Sequence, residues 1–370
     1  MAVSCQRVIN ILEEFAPLEL AQDWDSIGLQ AGDPAQPVSR VFLSLDLTPA
    51  VLAEASDAGA DLLVVHHTPF FRPLQNFRMD QPAGRLLAEI IKRGMALYTA
   101  HTNLDATWGG VNDILASKLD LRETAVLSAG WKQKLYKLVV FVPHDYLEQV
   151  STAVSRAGAG WIGNYSDCTF RVRGTGTFRP LEGTNPFIGS RGKLEEVEET
   201  RLETIVSEEI LPRAVGAMIK AHPYEEVAYD LYPLTNEGKT AGLGRVGRLP
   251  CPMTLASFVE KVKEKLAVNT VRCCGPAQKI VEKVAVCGGR GASYMHQALL
   301  AGAQVLLTAD VKYHEAQEAL ACDLALVDAG HFATENPVIQ AMAGIIRNQL
   351  AQEGVTVMVS QICTDPFYYL

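Results

Sequence analysis

The sequence predicts an α/β protein: two α/β halves, 1–130 and 237–370, form one core that a ferredoxin-like α+β insert, 131–236, interrupts. Three observations carry this. Strands and helices alternate from Val41 to Ala100, the same rhythm returns from Val281, and the stretch between follows a different order. With 370 residues, 48% of them hydrophobic and 20% charged, the chain has apolar material for more than one domain.

The N-terminal run MAVSCQRVINILEEF reads as an amphipathic helix begun near Ser4, and Glu13 and Glu14 interrupt any export-signal core. VFLSLDL is a strand, TPAVLAEASDAGA a helix, DLLVV a short buried strand, GRLLAEIIKRG a helix and MALYTA a strand. In the insert, KLVVFVP, CTFRVRGTGTF, RLETIVS and EEVAYDLYPL are strands, with DYLEQVSTAVSRAG and EILPRAVGAMIKAH as helices in β-α-β-β-α-β order. Later, VEKVAVCGG, QVLLTA and LALVDAG are strands; SYMHQALLAGA, HEAQEALAC and NPVIQAMAGIIRNQL are helices. AGADLLVVHH (58–67) aligns without gaps on AGAQVLLTAD (301–310), while ALYTAHTNLD (96–105) and ALVDAGHFATE (325–335) each place a carboxylate four residues after a histidine. This is either an internal duplication or the chance likeness of two alanine-rich βαβ units. A duplicated pair would turn equivalent strand ends toward one cleft.

Composition excludes several function classes. With 42 acidic and 33 basic residues the net charge is −9, so no cationic field awaits phosphates and nucleic acid is not an expected partner. The longest formally uncharged stretch, Gly291 to Ala309, is broken by Ser293, His296, Gln297, Gly302 and Gln304 and is not a membrane span. Eight cysteines without a C-x-x-C pair argue against a zinc ribbon or a disulfide scaffold, and a reducing cytoplasm is the expected location.

The chemistry-bearing candidates lie just past apolar strands. His66 and His67 end VVHH, where the chain turns and both rings can converge. Asp105 follows His101 in AHTNLD; alone it reads equally as a cap. Glu335 follows His331 by four residues, a spacing that shares one helix face, although a helix-N-terminal Glu is also explained by the macrodipole. Three imidazoles and two carboxylates exceed one tetrahedral zinc and suit two divalent ions ~3.5–4 Å apart. Weaker signals are the Gly288–Gly291 turn, as a phosphate cradle or a plain turn; Asp310 and His314, as cleft groups or a strand-to-helix junction; and His222 with Glu225 and Glu226, best read as a solvated turn.

The motifs DWDSIGLQAG (23–32), SLDLTP (44–49), VVHHTPFF (64–71), HTNLD (101–105), GGVND (109–113), TADVKYHEA (308–316) and DAGHFATEN (328–336) resemble, along nearly the whole chain, the Nif-three-like dinuclear metal proteins, also called GTP cyclohydrolase I type 2 homologues. That resemblance implies His66, His67, Asp105, His331 and Glu335 as metal ligands, Glu335 bridging, and His101 lining the cleft; as an unliganded imidazole there, His101 is the expected catalytic proton carrier. It implies two divalent ions per chain, zinc first, with manganese, iron or cobalt as alternatives. It further implies hexameric rings built from trimers and an insert like the PII and CutA folds. The departure from a DWDN-type signature is Ser26, which touches no ligand and bears on a local turn. The expected activity is metal-dependent hydrolysis of a small molecule such as a nucleotide. The competing expectation is a non-catalytic metal-binding or regulatory scaffold whose insert senses a ligand.

Overall fold

The computed structural model describes residues 2–70 and 76–368; Phe71, which ends the VVHHTPFF run, lies outside them. The fold is mixed α/β, with four sheets among the described residues. The chain divides into two compact units, Met1–Trp131 with Ala241–Leu370, and Lys132–Thr240.

In the first unit, a five-stranded sheet runs in the order Thr356–Val359, Arg40–Ser44, Leu62–Val65, Ala96–Thr99, Gly28–Ala31, the first four parallel and the last antiparallel. A six-stranded sheet runs Arg272–Cys274, Ala325–Asp328, Val305–Thr308, Ile280–Val286, Thr240–Thr254, Arg122–Lys132. Its second, third and fourth strands are parallel, Arg272–Cys274 runs antiparallel to Ala325–Asp328, and Thr240–Thr254 runs antiparallel to Ile280–Val286. Leu62–Val65, Ala96–Thr99, Val305–Thr308 and Ala325–Asp328 are buried at every position, the pattern of parallel strands covered on both faces. Helices such as Pro49–Asp57, which Thr48 caps by accepting a bond from Val51 N, connect successive parallel strands.

One long-range exchange is invisible in the element order. Thr356–Val359 pairs with Arg40–Ser44, so a strand from the expected second half completes the sheet of the first. The preceding helix, Pro337–Gln349, drives this: its apolar residues Val338, Ile339, Met342 and Ile346 share a core with Val8, Ile11 and Leu12 of the helix Cys5–Phe15. The expected long helix from Asn336 is also preceded by a separate turn, His331–Glu335.

Lys132–Thr240 carries an antiparallel sheet in the order Tyr229–Leu234, Leu135–Pro143, Glu195–Ser207, Thr169–Phe178. Helices Leu147–Arg156 and Leu211–Ala221 bury Val150, Val154 and Met218 against Leu138, Val140 and Leu202. The strand expected at RLETIVS begins six residues earlier, because EEVEET alternates between exposed and half-buried positions as a strand can. Gln133 N donates to Lys239 O at 2.8 Å, closing the two ends of the unit together. Among the described residues no helix is long and apolar enough to cross a membrane.

Candidate metal centre

The turn after Leu62–Val65 gathers the paired histidines. His66 N and His67 N both donate to Leu45 O, at 3.2 and 2.9 Å, so the strand alternation is broken and the two rings lie 4.8 Å apart. The next strand, Ala96–Thr99, leads through His101 into the one-turn helix Thr102–Ala106, which carries Asp105. In the helix His331–Glu335 the four-residue spacing puts His331 Nε2 at 3.1 Å from Glu335 Oε2.

Glu335 Oε2 stands at the centre. It is 2.9 Å from His67 Nε2, and His67 Nε2 is 3.3 Å from His331 Nε2. On the other side it is 3.7 Å from His66 Nε2, which is 3.6 Å from Asp105 Oδ1. Two triads result, His67–His331–Glu335 and His66–Asp105–Glu335, each with its ligand atoms within 4.8 Å of one another; His66, His67 and His101 form a third such group. Donors held ~2.0–2.1 Å from a tetrahedral ion are ~3.3 Å from each other, so both triads have the span of a divalent cation site.

Every imidazole is fixed from behind through Nδ1. His66 Nδ1 donates to Ala100 O (2.8 Å), His67 Nδ1 to Asp46 (2.7 Å), His101 Nδ1 to Asp25 (2.9 Å) and His331 Nδ1 to Asp310 (2.7 Å). This leaves the Nε2 atoms of His66, His67 and His331 for the centre, the arrangement in which metal-binding imidazoles are held by a carboxylate or carbonyl. His66 Nε2 and Asp105 Oδ1 are both buried without a hydrogen-bond partner. Two acceptors facing each other in the interior are costly unless a cation or proton lies between them.

Charge follows the same division. Burial lowers His66 to about 3, keeping it neutral. Burial also opposes charge on His67, but its bonds to Asp46 and Glu335 overcome this and raise it to about 10. At half-buried His331 desolvation again opposes charge, but Glu335 and Asp310 outweigh it and raise the group to about 9. Burial would raise Glu335, yet the bonds from His331 and His67 hold it well below the usual range. Asp105 is pushed up by burial and then by the Glu335 charge. At His67 and His331, where one cation would sit, the metal-free protein holds protons.

The profile of the Duf34/NIF3 family (NGG1p interacting factor 3) matches residues 3–366. The chain belongs to the Duf34/NIF3 family. It is 48% identical over 367 residues, 99% of this chain and 98% of the relative, to a Halalkalibacterium halodurans protein named GTP cyclohydrolase 1 type 2 homolog. A Bacillus subtilis protein of the same name is 45% identical over 372 residues, covering 100% and 99%. The crystal structure of a Bacillus cereus protein related to NIF3 matches with a TM-score of 0.94 at 42% identity, covering 100% of this chain and 99% of that one.

In this Duf34/NIF3 chain one open reading is resolved and one expectation needs correction. The amides of Gly288, Gly289 and Gly291 are not offered to a phosphate: they donate to Asn112 Oδ1 (2.9 Å), Thr334 Oγ1 (3.0 Å) and Thr308 Oγ1 (2.7 Å). Gly289 is glycine because it has φ +59° and a Cβ there would lie 2.1 Å from Glu335 Oε1. His222 is buried rather than part of a solvated turn: it bonds Phe141 O (3.0 Å) and accepts from Tyr224 N (3.1 Å). His314 is exposed against Tyr313 and stands outside the gathered groups, whereas Asp310 holds His331. Ser26 closes its turn by donating its amide to Asp25 Oδ1 (2.9 Å).

Two residues escaped the sequence reading. Asp46 lies two positions past the strand Arg40–Ser44, and the strand-end rule that found His66 would have found it. Asp25 sits in a loop and gave no such signal, yet its buried carboxylate also accepts from Thr102 N (3.0 Å) and Thr102 Oγ1 (2.6 Å).

Proposed function

We propose that this chain holds two divalent cations, one at His66–Asp105–Glu335 and one at His67–His331–Glu335, and uses them to hydrolyse a small, nucleotide-like molecule. The observation that carries the reading is Glu335 Oε2, common to both triads while His66 Nε2 and Asp105 Oδ1 lack any other partner. Zinc is the first expectation, and manganese, iron and cobalt suit the same imidazole and carboxylate donors. Such ions supply Lewis acidity and bring the deprotonation of a water near neutral pH. The protein's own part is to hold the ions and to move the proton. His101 Nδ1–H donates a hydrogen bond to the Asp25 carboxylate, so Nε2 is the atom that would accept a proton from the attacking water and return it to the leaving group. GTP is the first substrate to test, because it stands in the name of the relatives; one water would open the imidazole ring by breaking a C8–N bond to leave an N-formyl group, and a second water would hydrolyse that amide to formate and the free amine.

The two parallel trios, each with an Ala-Gly-Ala run before its middle strand, support an internal duplication. The insert's β-α-β-β-α-β order supports a PII/CutA-like fold, and a cytoplasmic hexamer is the assembly proposed. One observation favours a second reading, a scaffold whose insert senses a ligand: a cavity of about 550 Å³ in Lys132–Thr240, bordered by Phe141, Phe178, Phe187, Tyr224 and Arg201. The deciding experiment has two parts. Metal analysis of protein purified without chelator or added metal should find about two ions per chain, and the metal-replete protein should release formate or phosphate from a nucleotide panel. Two ions without turnover on any nucleotide would favour the scaffold.

A further inference from the structure

Two cavities of the core unit meet at one ion pair. The larger, about 820 Å³, has His67 and His331 in its wall together with Asp310, Arg272 and Asp328. The smaller, about 230 Å³, is bordered by the same Arg272 and Asp328 and by Lys312. Arg272 opens the edge strand Arg272–Cys274, whose register sets it opposite Asp328. The Asp328 side chain is only 8% exposed, and it accepts from Arg272 Nη2, from Val311 N (3.0 Å) and from Gly330 N (3.1 Å).

Arg272 Nη2 also donates to Val311 O at 3.0 Å. Among the described residues both of these bonds come from one nitrogen, while the side chain remains 66% exposed. An arginine fixed in this way presents its other N–H groups with little rotamer freedom left to lose on binding. The neighbouring acids are already engaged: Asp46 holds His67, Asp310 holds His331, and Asp365 accepts from Phe367 N (3.0 Å). Among the described residues Arg272 is the one Lys or Arg bordering the larger cavity, and Lys312 extends positive charge into the smaller.

We propose that Arg272 is the specificity-determining seat for an oxyanion of the substrate, a phosphoryl or carboxylate group, held while the reacting part lies against His67 and His331. With Nη2 engaged, the Nε and Nη1 N–H groups remain as single, charged donors on separate edges of the guanidinium, each able to meet one oxygen of an oxyanion. This inference rests on the reading of the centre as a hydrolytic site, and it adds what the substrate must carry: at least one negative group separated from the bond that is cut.

The test is calorimetric titration of inorganic pyrophosphate and, separately, malonate into zinc-loaded and metal-free protein. Wild type is compared with Arg272→Gln, with Arg272→Lys and with the double variant Arg272→Gln/Asp328→Asn, in which no buried carboxylate is left alone. Melting temperature and zinc content serve as fold and site controls. Loss of one charge-assisted contact should weaken binding by ~10-fold or more in the Gln and double variants, with the lysine variant between them and wild type. An effect on pyrophosphate alone assigns a phosphoryl group, and an effect on malonate alone a carboxylate. Unchanged binding of both probes in the folded, zinc-replete double variant overturns the seat while leaving the metal centre intact. Failure to take up zinc overturns the metal reading instead, and the metal-free arm still reports on Arg272. Absence of binding of either probe to either form of the wild type also overturns the proposal.

Discussion

Asp25→Asn tests whether the carboxylate behind His101 acts through its charge. The Asp25 side chain is fully buried and receives His101 Nδ1 at 2.9 and 3.0 Å, Thr102 N, Thr102 Oγ1 and Ser26 N. Burial alone would raise its pKa, but the bonds from His101 and Thr102 prevail and lower it from the ordinary 3.8 to about 2. That shift corresponds to about 2 kcal/mol of folding free energy at neutral pH. It is a depressed acid, so its contribution is complete above the unfolded pKa and fades as the pH falls through the folded one; about half remains at pH 3. Asparagine keeps the shape, removes the charge and sets an N–H group against donors whichever way the amide points. Calorimetric melting of metal-free protein at pH 7 should therefore show the variant ~4–8 °C below wild type. At pH 3 the gap should shrink to about half. An equal gap at both pH values would mean that the loss comes from packing, and no gap at pH 7 would refute the reasoning outright.

Further outcomes follow from the same geometry. Glu335→Gln should lower occupancy at both triads, and metal analysis showing two ions per chain would remove Glu335 from its central role. Metal uptake at pH 7 should release protons into weakly buffered solution, because His67 and His331 are raised to about 10 and 9 and must lose their protons to bind. With two protons displaced, apparent affinity should climb by up to about 100-fold per pH unit below pH 9. The same two raised groups stabilise the metal-free fold fully below pH ~6.5 and progressively less as the pH passes 9 and 10. Gly289→Ala, with its Cβ driven onto Glu335 Oε1, should reduce metal content and lower the melting temperature by several degrees, and an unchanged site would show that the turn can shift freely. His101→Ala should leave metal content near wild type and cut any turnover by ~10²–10⁴-fold, whereas His331→Ala should lose both; equal metal loss in the two variants would make His101 a ligand.

The gathered residues were legible because they obey one local rule. His66, His67, Asp105, His331 and Glu335 each follow an apolar strand within a few positions, and parallel strands deliver such positions to the same side of a sheet. The insert's element order was legible for a similar reason, since its helices and strands have distinct periods. The Gly288–Gly291 turn stayed open between two readings because a glycine run looks the same whether its amides serve a ligand or the protein's own Asn112, Thr334 and Thr308. The return of Thr356–Val359 to the first sheet was hidden because a four-residue strand carries no mark of its partner.

What no local rule supplies is the state of each group. His66 and His67 are neighbours in sequence and burial acts on both in the same sense, yet one is lowered to about 3 and the other raised to about 10. The difference is made by their partners: a neutral carbonyl, Ala100 O, behind His66, and two carboxylates, Asp46 and Glu335, on either side of His67. Those partners come from positions 21 to 268 residues away. The residue types at the strand ends say that a cation can be held, while the chain-distant hydrogen bonds decide which imidazole is already an acceptor and which must first lose a proton. Cation entry should accordingly be easier at His66–Asp105–Glu335, where His66 Nε2 is unprotonated, than at His67–His331–Glu335, where two protons must leave.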